Sequence, residues 1–221
     1  MALIEIKHLN LQELPAAVEL DRLCFGGLWT LEAYRRELES PNSDLLGLWI
    51  EGNRKSPLLP SAGQFHAREN QDFVVAVSPP YPPYPIDDTQ GIAGIGAIAG
   101  ELPLPPVPSP SLIGLACLWA ILGEGHITML GIHPDYQGQG FGKTLLCALL
   151  KLAYQRQLEW ATLEVRASNF VAISLYQKFG FKEAGRRRGY YQEPEEDALI
   201  LWRSGLQKPE FEQDLCFHFH G

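Results

Sequence analysis

Apolar residues alternate with polar ones at Ile4 and Ile6, and this period of two predicts an opening strand. The period then changes. Asn10, followed three residues later by Glu13, has the pattern of a helix capping box, and Leu14, Ala17, Val18 and Leu20 continue at helical spacing toward Phe25. Gly26-Gly27 breaks that helix, Thr30 can cap a second over Leu31–Leu38, Pro41-Asn42 turns the chain, and Asp44–Glu51 (DLLGLWIE) reads as a strand. Further on, Leu112–Leu122 (LIGLACLWAIL) and His126–Ile132 (HITMLGI) are rich in strand formers. Gly123-Glu124-Gly125 separates them, a hairpin by its turn chemistry. An amphipathic helix over Lys143–Gln155, a short apolar strand at Ala161–Val165 and a helix at Asn169–Phe179 closed by Gly180 follow. Strands at Phe181–Glu183 and Ala198–Trp202 complete the pattern, which predicts an α/β or α+β sandwich. A chain of 221 residues suits a single domain over 1–206 with an insertion, followed by a tail over 207–221.

The insertion is where periodicity fails. Twelve of the 17 prolines lie between Pro57 and Pro110, in tracts such as SPPYPPYP and LPLPPVPSP. Proline removes a backbone donor and fixes extended geometry, which excludes a packed helix or a central strand. Gly91–Gly100 (GIAGIGAIAG), between the tracts, is apolar but glycine-rich. Residues 53–110 are therefore expected to be largely loop, with a ligand for a proline-recognition domain as the sharper alternative.

Charge and cysteine usage narrow the function classes. With 18 Lys and Arg against 26 Asp and Glu, the net charge is -8, which disfavours nucleic-acid binding and leaves a basic partner possible. No run of 18 apolar residues exists, and MALIEIKHLN lacks the basic start and apolar stretch of a signal peptide, so neither membrane nor export is expected. Cys24, Cys117, Cys147 and Cys216 form no CxxC pair and fit reduced thiols of a cytoplasmic protein. Cys216, His218 and His220 alternate on one face, but three ligands without a fourth make a poor zinc pattern, and no metal is expected.

Candidate chemistry begins at Ile132–Lys143, IHPDYQGQGFGK. A strand ends, Gly138, Gly140 and Gly142 follow, and an amphipathic helix starts. Glycines let a ligand approach the backbone, and a helix N-terminus adds partial positive charge, so the segment suits a pyrophosphate, with Lys143 adding a full charge. The glycines run GxGxG rather than GxGxxG, and Gln137 stands where a Walker motif needs glycine. Read alone, the segment is either an anion site or an ordinary strand-to-helix turn.

Gln137-Gly138-Gln139-Gly140-Phe141-Gly142 resembles the Q/R-x-x-G-x-G/A signature of the GNAT N-acetyltransferases. Leu163–Phe181 (LEVRASNFVAISLYQKFGF) resembles the LEVRxSNxxAxxLYxxxGF segment of the RimI-type protein N-terminal acetyltransferases, and Arg187-Arg188-Gly189-Tyr190-Tyr191 and Glu196-Asp197-Ala198 resemble later elements of that subgroup. The resemblance covers Leu112–Trp202 well and Ile4–Glu51 loosely, and leaves out the insertion and everything after Leu206. It implies the GNAT fold, a central mixed, mostly antiparallel sheet flanked by helices. It implies acetyl-CoA as co-substrate, its pyrophosphate on the amides of Gln137, Gly138, Gln139, Gly140, Phe141, Gly142 and Lys143, its pantetheine arm along Leu130, Gly131 and Ile132, and a contact from Asn169.

Acetyl transfer to an amine needs a proton acceptor for the amine and a proton donor for the leaving thiolate. Glu164 puts a carboxylate into the apolar run ATLEV. Without the resemblance it reads as a solvent-facing strand residue; with it, as the base. Tyr176 reads as a core tyrosine by its helix position and as the acid by the resemblance, while Asn169 reads as a helix cap. By resemblance Tyr190, Tyr191, Trp29 and Phe25 line an acceptor groove, where packing roles are equally open. Glu195, Glu196 and Asp197 are either a solvated charge run or a meeting place for a basic peptide. The implied acceptor is a protein N-terminus, a ribosomal protein's N-terminal alanine in the RimI type. Lysine, a polyamine or another small amine, or a non-catalytic CoA-binding module, remain the alternatives.

Overall fold

The computed structural model describes residues 3–51, 74–76, 111–192, 194–211 and 215. Its strands are β1 (Leu3–His8), β2 (Ser43–Glu51), β3 (Val74–Ala76), β4 (Ser111–Ile121), β5 (Glu124–Ile132), β6 (Trp160–Arg166), β7 (Lys182–Gln192) and β8 (Glu195–Ser204). They form one sheet in the order β1-β2-β4-β5-β6-β8-β7, with β3 added against β5. All pairings are antiparallel except that of β5 with β6. This is the expected mixed, mostly antiparallel sheet.

The alternation along the central strands splits the core in two. Leu46, Leu48, Ala116, Leu118, Ile127 and Leu130 face α3 (Phe141–Gln155) and α4 (Phe170–Lys178). Leu45, Trp49, Leu115, Cys117 and Met129 face α1 (Leu14–Phe25) and α2 (Leu31–Glu39). A sheet buried on both faces must be apolar at nearly every position, which is why LIGLACLWAIL shows no clean alternation. Cys24, Cys117 and Cys147 are free and buried, and burial pushes the Cys117 thiol up to about 12. No helix among the described residues is long and apolar enough to cross a membrane, and no group of three potential metal ligands occurs among them.

The N-terminal signals act as read. Asn10 and Glu13 form the reciprocal capping box around a 3-10 turn that leads into α1, and Thr30 caps α2. Gly26 ends α1 in the left-handed region at φ 75°, where glycine carries no Cβ penalty. The link between these helices holds a feature the pattern did not reveal. Asp21, fully buried, accepts hydrogen bonds from the Trp29 amide at 3.1 Å and the Tyr34 hydroxyl at 2.7 Å, and also from the Leu28 amide. One carboxylate thereby fixes the shape of the 26–30 loop.

Two expectations are corrected. The β4–β5 hairpin turns at Leu122-Gly123, both at positive φ (49° and 85°), rather than over Gly123–Gly125. Two residues with left-handed backbone match the twist of the flanking strands, so the tighter turn wins and Glu124 and Gly125 join β5. Second, β7 runs eleven residues, far beyond the strand expected to end at Glu183. It is an edge strand whose arginines carry no apolar alternation to detect. The proline-rich segment, read as largely loop, contributes the three residues of β3 to the central sheet. Its remainder, Gly91–Gly100 included, and the Cys216–His220 run lie outside the described residues.

Two predictions follow from this architecture. Asp21→Asn should cost about 1–3 kcal/mol, because an amide cannot accept from all three buried donors; urea unfolding reads this out directly. Replacing residues 54–109 with a short glycine–serine linker should leave a single cooperative thermal transition, since among the described residues three of strand are lost and loop length changes closure entropy slowly. A non-cooperative melt of that variant would place the insertion in the core.

Candidate active site

β5 and β6 pair in parallel only at Glu124 with Trp160, Gly125 with Ala161 and His126 with Thr162. Beyond His126 the pairing stops. On the opposite side of β5 the register with β4 jumps, Ile127 facing Leu118 and Met129 facing Cys117, which leaves Thr128 as an extra residue. A bulge of this kind bends a strand, and here it coincides with the point where β5 and β6 part. The crossover between them is α3.

The glycine-rich turn lies between β5 and α3. Gly138 and Gly140 both have positive φ (72° and 89°), and a Cβ at either would meet nothing within 4 Å. These glycines serve backbone conformation, not tight packing. The Gln137 side chain donates to the Ile132 carbonyl at 3.0 Å, tying the turn to the end of β5. The first backbone bond of α3 runs from Thr144 to Gly140 at 3.1 Å, and Gly140 offers no side-chain cap. The amides of Phe141, Gly142 and Lys143 therefore have no intrahelical acceptor, and the positive end of the helix dipole points out of the turn. Ile132, Gln137, Gly138, Gly140, Phe141, Gly142 and Lys143 line one cavity of about 220 Å³. Val171 and Leu175 of α4 close it, two residues the motif reading had not singled out.

Glu164 lies two residues past the last β5–β6 pair, about 7 Å farther along β6 at ordinary strand rise. Its side chain is 12% exposed and pairs with Arg187 of β7, Nη2 to Oε1, at 3.1 Å. Burial raises its pKa above the usual carboxylate value, with the Arg187 guanidinium pulling the other way. Tyr176, in α4, is fully buried against Phe181, and its hydroxyl has no hydrogen-bond partner among the described residues. Burial pushes this phenol well above its normal pKa, so it stays protonated. Tyr191 lies within electrostatic reach of both Glu164 and Tyr176, and burial holds its own phenol neutral.

The other expected site residues divide. Asn169 caps α4, accepting from the Ala172 amide at 3.0 Å, and lines a second cavity of about 450 Å³ with Arg22, Phe25, Arg166 and Glu196. Tyr191 is buried with the Arg166 guanidinium 4.0 Å from its ring centroid, and Tyr190 lies under Arg187 at 5.4 Å. Trp29 packs edge-on against Tyr34 in the α1–α2 core, and Gln139 turns back to the Asp135 carbonyl. Glu196 is no free surface charge. Burial, the largest single influence, opposes its ionisation, but hydrogen bonds from Ser168 and the Arg166 guanidinium together outweigh it and hold its pKa below the usual range.

Along β5 the side chains of Leu130 and Ile132 are core, and Gly131 is glycine because a Cβ there would collide with the Phe25 ring. Only backbone groups of these residues can meet a ligand. On the side facing the β5–β6 opening, Met129, Leu130 and Gly131 pair with Ala76, Val75 and Val74 of β3. The edge expected to receive a pantetheine arm thus carries a strand of the chain itself.

Bare amides at a helix start and glycines that clear their approach form a set of groups that an acyl-CoA pyrophosphate would satisfy. Known proteins agree. Residues 65–181 match the family model described as Acetyltransferase (GNAT) family. A Bacillus subtilis protein named putative ribosomal protein bS18-alanine N-acetyltransferase is 42% identical over 79 residues, 36% of this chain and 52% of its own length. An Escherichia coli protein named ribosomal protein bS18-alanine N-acetyltransferase is 44% identical over 82 residues, 36% of this chain and 55% of its own. The chain thus spans about half the length of these curated relatives. Among solved structures, the ribosomal-protein-S18-alanine N-acetyltransferase from Escherichia coli superposes with a TM-score of 0.59 at 22% identity, over 91% of this chain and 94% of that one. A Thermoplasma acidophilum PaiA N-acetyltransferase in complex with coenzyme A gives 0.53 at 17%, over 91% and 99%. At these identities the structural matches speak to the fold.

The turn yields a test. Valine at position 140 must adopt a left-handed backbone, a strain of about 1–3 kcal/mol, or else move the amides it precedes. Gly140→Val should weaken coenzyme A binding about tenfold or more in a calorimetric titration. Unchanged affinity would move the anion site elsewhere.

Proposed function

We propose that this chain, which belongs to the GNAT acetyltransferase family, transfers the acetyl group of acetyl-CoA to the α-amino group of a protein N-terminus. The N-terminal alanine of a ribosomal protein is the acceptor we favour. The observation that carries the reading is a partly buried carboxylate, Glu164, two residues beyond the last β5–β6 pair, followed in the next helix by Tyr176, a buried hydroxyl without a partner among the described residues. The names and 42–44% identity of the curated relatives support the acceptor.

Acetyl-CoA, when bound, supplies an acyl group on a good leaving group. The amides of Phe141, Gly142 and Lys143 and the Lys143 ammonium orient the pyrophosphate, and the 220 Å³ cavity they line is of the right size for it. Glu164 takes a proton from the acceptor nitrogen. An α-amino group has a pKa of about 7.7–8.0, so a mild base suffices, whereas lysine near about 10.4 would demand more. Tyr176 delivers its hydroxyl proton toward the departing sulfur, and the same burial that keeps it protonated excludes water from that path. Asn169 holds the start of α4 and so the direction of Tyr176.

A coupled thiol-release assay with acetyl-CoA tests the acceptor, using alanine-starting ribosomal peptides beside lysine, polyamines and other small amines. Turnover confined to free amines would sink the N-terminal reading. Glu164→Gln and Tyr176→Phe should each lower turnover by roughly 10²–10⁴-fold, the usual range for general acid–base groups, with coenzyme A affinity little changed. Because burial raises the pKa of Glu164, activity should begin to fall, as pH is lowered, above the pH where an exposed carboxylate titrates. Wild-type turnover in both variants would make the pair structural.

A further inference from the structure

We propose that Arg187 is a positioning residue for the base: its guanidinium holds the Glu164 carboxylate ionised and aimed across the sheet face until the ammonium of the acceptor takes its place. The inference rests on the reading of Glu164 as the base.

The geometry begins with strand periodicity. Glu164 and Arg166 are two residues apart on β6 and share a face. β8 separates β6 from β7, and Ala198 on β8 is the register partner of both Arg166 and Arg187. Arg187 is thus on the strand row next to that of Glu164, which its long side chain reaches to give the 3.1 Å contact. The backbone permits it because β7 is irregular here, its register with β8 shifting between Arg187 and Tyr191.

The charges around Glu164 single out Arg187. From β5 come His126 and Glu124, which pair with each other at 3.1 Å. From β7 come Arg187 and Tyr191, whose phenol is held neutral by burial. On β6 itself Arg166 is engaged by Glu196 at 3.3 Å and stacks on Tyr191. The β8 neighbour in register is Ile200. Arg187 is therefore the cation in direct contact with a carboxylate that is only 12% exposed. Desolvation works against the ionised form of Glu164, and Arg187 is the largest influence restoring it.

The contact is also replaceable. The Arg187 side chain is 44% exposed, comes from an edge strand and rests on the Tyr190 ring. The guanidinium end of the pair faces water, so Arg187 can leave the carboxylate without disturbing the packing of the fold. An incoming α-ammonium is a cation of the same charge. Once it reaches the carboxylate, one N–H bond breaks and one carboxyl O–H bond forms, leaving a neutral amine and a neutral acid. Arg187, if it stayed, would oppose that transfer by favouring the carboxylate. Its withdrawal onto Tyr190 raises the basicity of Glu164 at the moment the acceptor is in place.

The experiment follows the carboxyl ¹³C resonance of Glu164, assigned by its loss in Glu164→Gln, against pH in the wild type, Arg187→Gln and Arg187→Lys. In Arg187→Gln the titration should move to higher pH, and the acid limb of kcat/KM should move with it. Arg187→Lys, which keeps the charge, should titrate between the two. A midpoint in Arg187→Gln equal to or below that of the wild type overturns the proposal. The resonance is read without turnover, so it also separates the two claims. A Glu164→Gln variant with full activity would remove the base while leaving the hold of Arg187 on Glu164 measurable. A residue that merely braces β7 would lower the melting temperature in both variants and leave the midpoint where it was.

Discussion

Two parallel strands that pair for three residues and then part determine most of what this molecule can do. β5 and β6 must be joined by a crossover, and α3 is that crossover, so the N-terminus of a fifteen-residue helix is delivered to the top of the opening. β6 no longer pairs with β5 after Thr162, and Glu164 is two residues farther along it. α4, which follows β6, buries Tyr176 in the core on the α3 face of the sheet. The Thr128 bulge is the local device that accompanies this parting, and it is an insertion of one residue that no composition or periodicity announces.

Around the opening, buried polar groups are handled in two ways. Asp21 is satisfied three times over and acts as a fixed bracket for the loop between α1 and α2. Tyr176 is the reverse, a buried hydroxyl left without a partner among the described residues. An unsatisfied buried donor is costly to a fold, and such costs concentrate where a ligand makes up the missing contact. The two sheet faces thus differ, one holding a buried polar group that is fully satisfied and the other one that is not.

Much of the fold was legible because it is written in local terms. The Asn10–Glu13 box, the Thr30 and Asn169 caps and the glycine at the end of α1 are short-range signals, and each appears where the sequence places it. The turn at 137–143 was legible for the same reason. What escaped depends on pairing between distant segments. Arg187 reads as one of three consecutive arginines until β7 is known to run beside β8, which brings it to Glu164. Glu196 reads as part of an acidic run until Ser168 and Arg166 are seen to engage it. Asp21 falls in the helical run that leads to Phe25, and nothing in that period marks it as the acceptor for a loop seven and eight residues away.

β3 bears on how ligand affinity should be understood here. Its residues 74–76 use the outward-facing backbone groups of Met129, Leu130 and Gly131, and it lies beside β6 and α1 in the same opening. Any extended ligand that needs those groups binds only the fraction of molecules in which the edge is bare. Its apparent dissociation constant is then the intrinsic one divided by that fraction. Displacing the three residues of β3 would then be part of the free energy of binding such a ligand, without altering a single contact between ligand and protein.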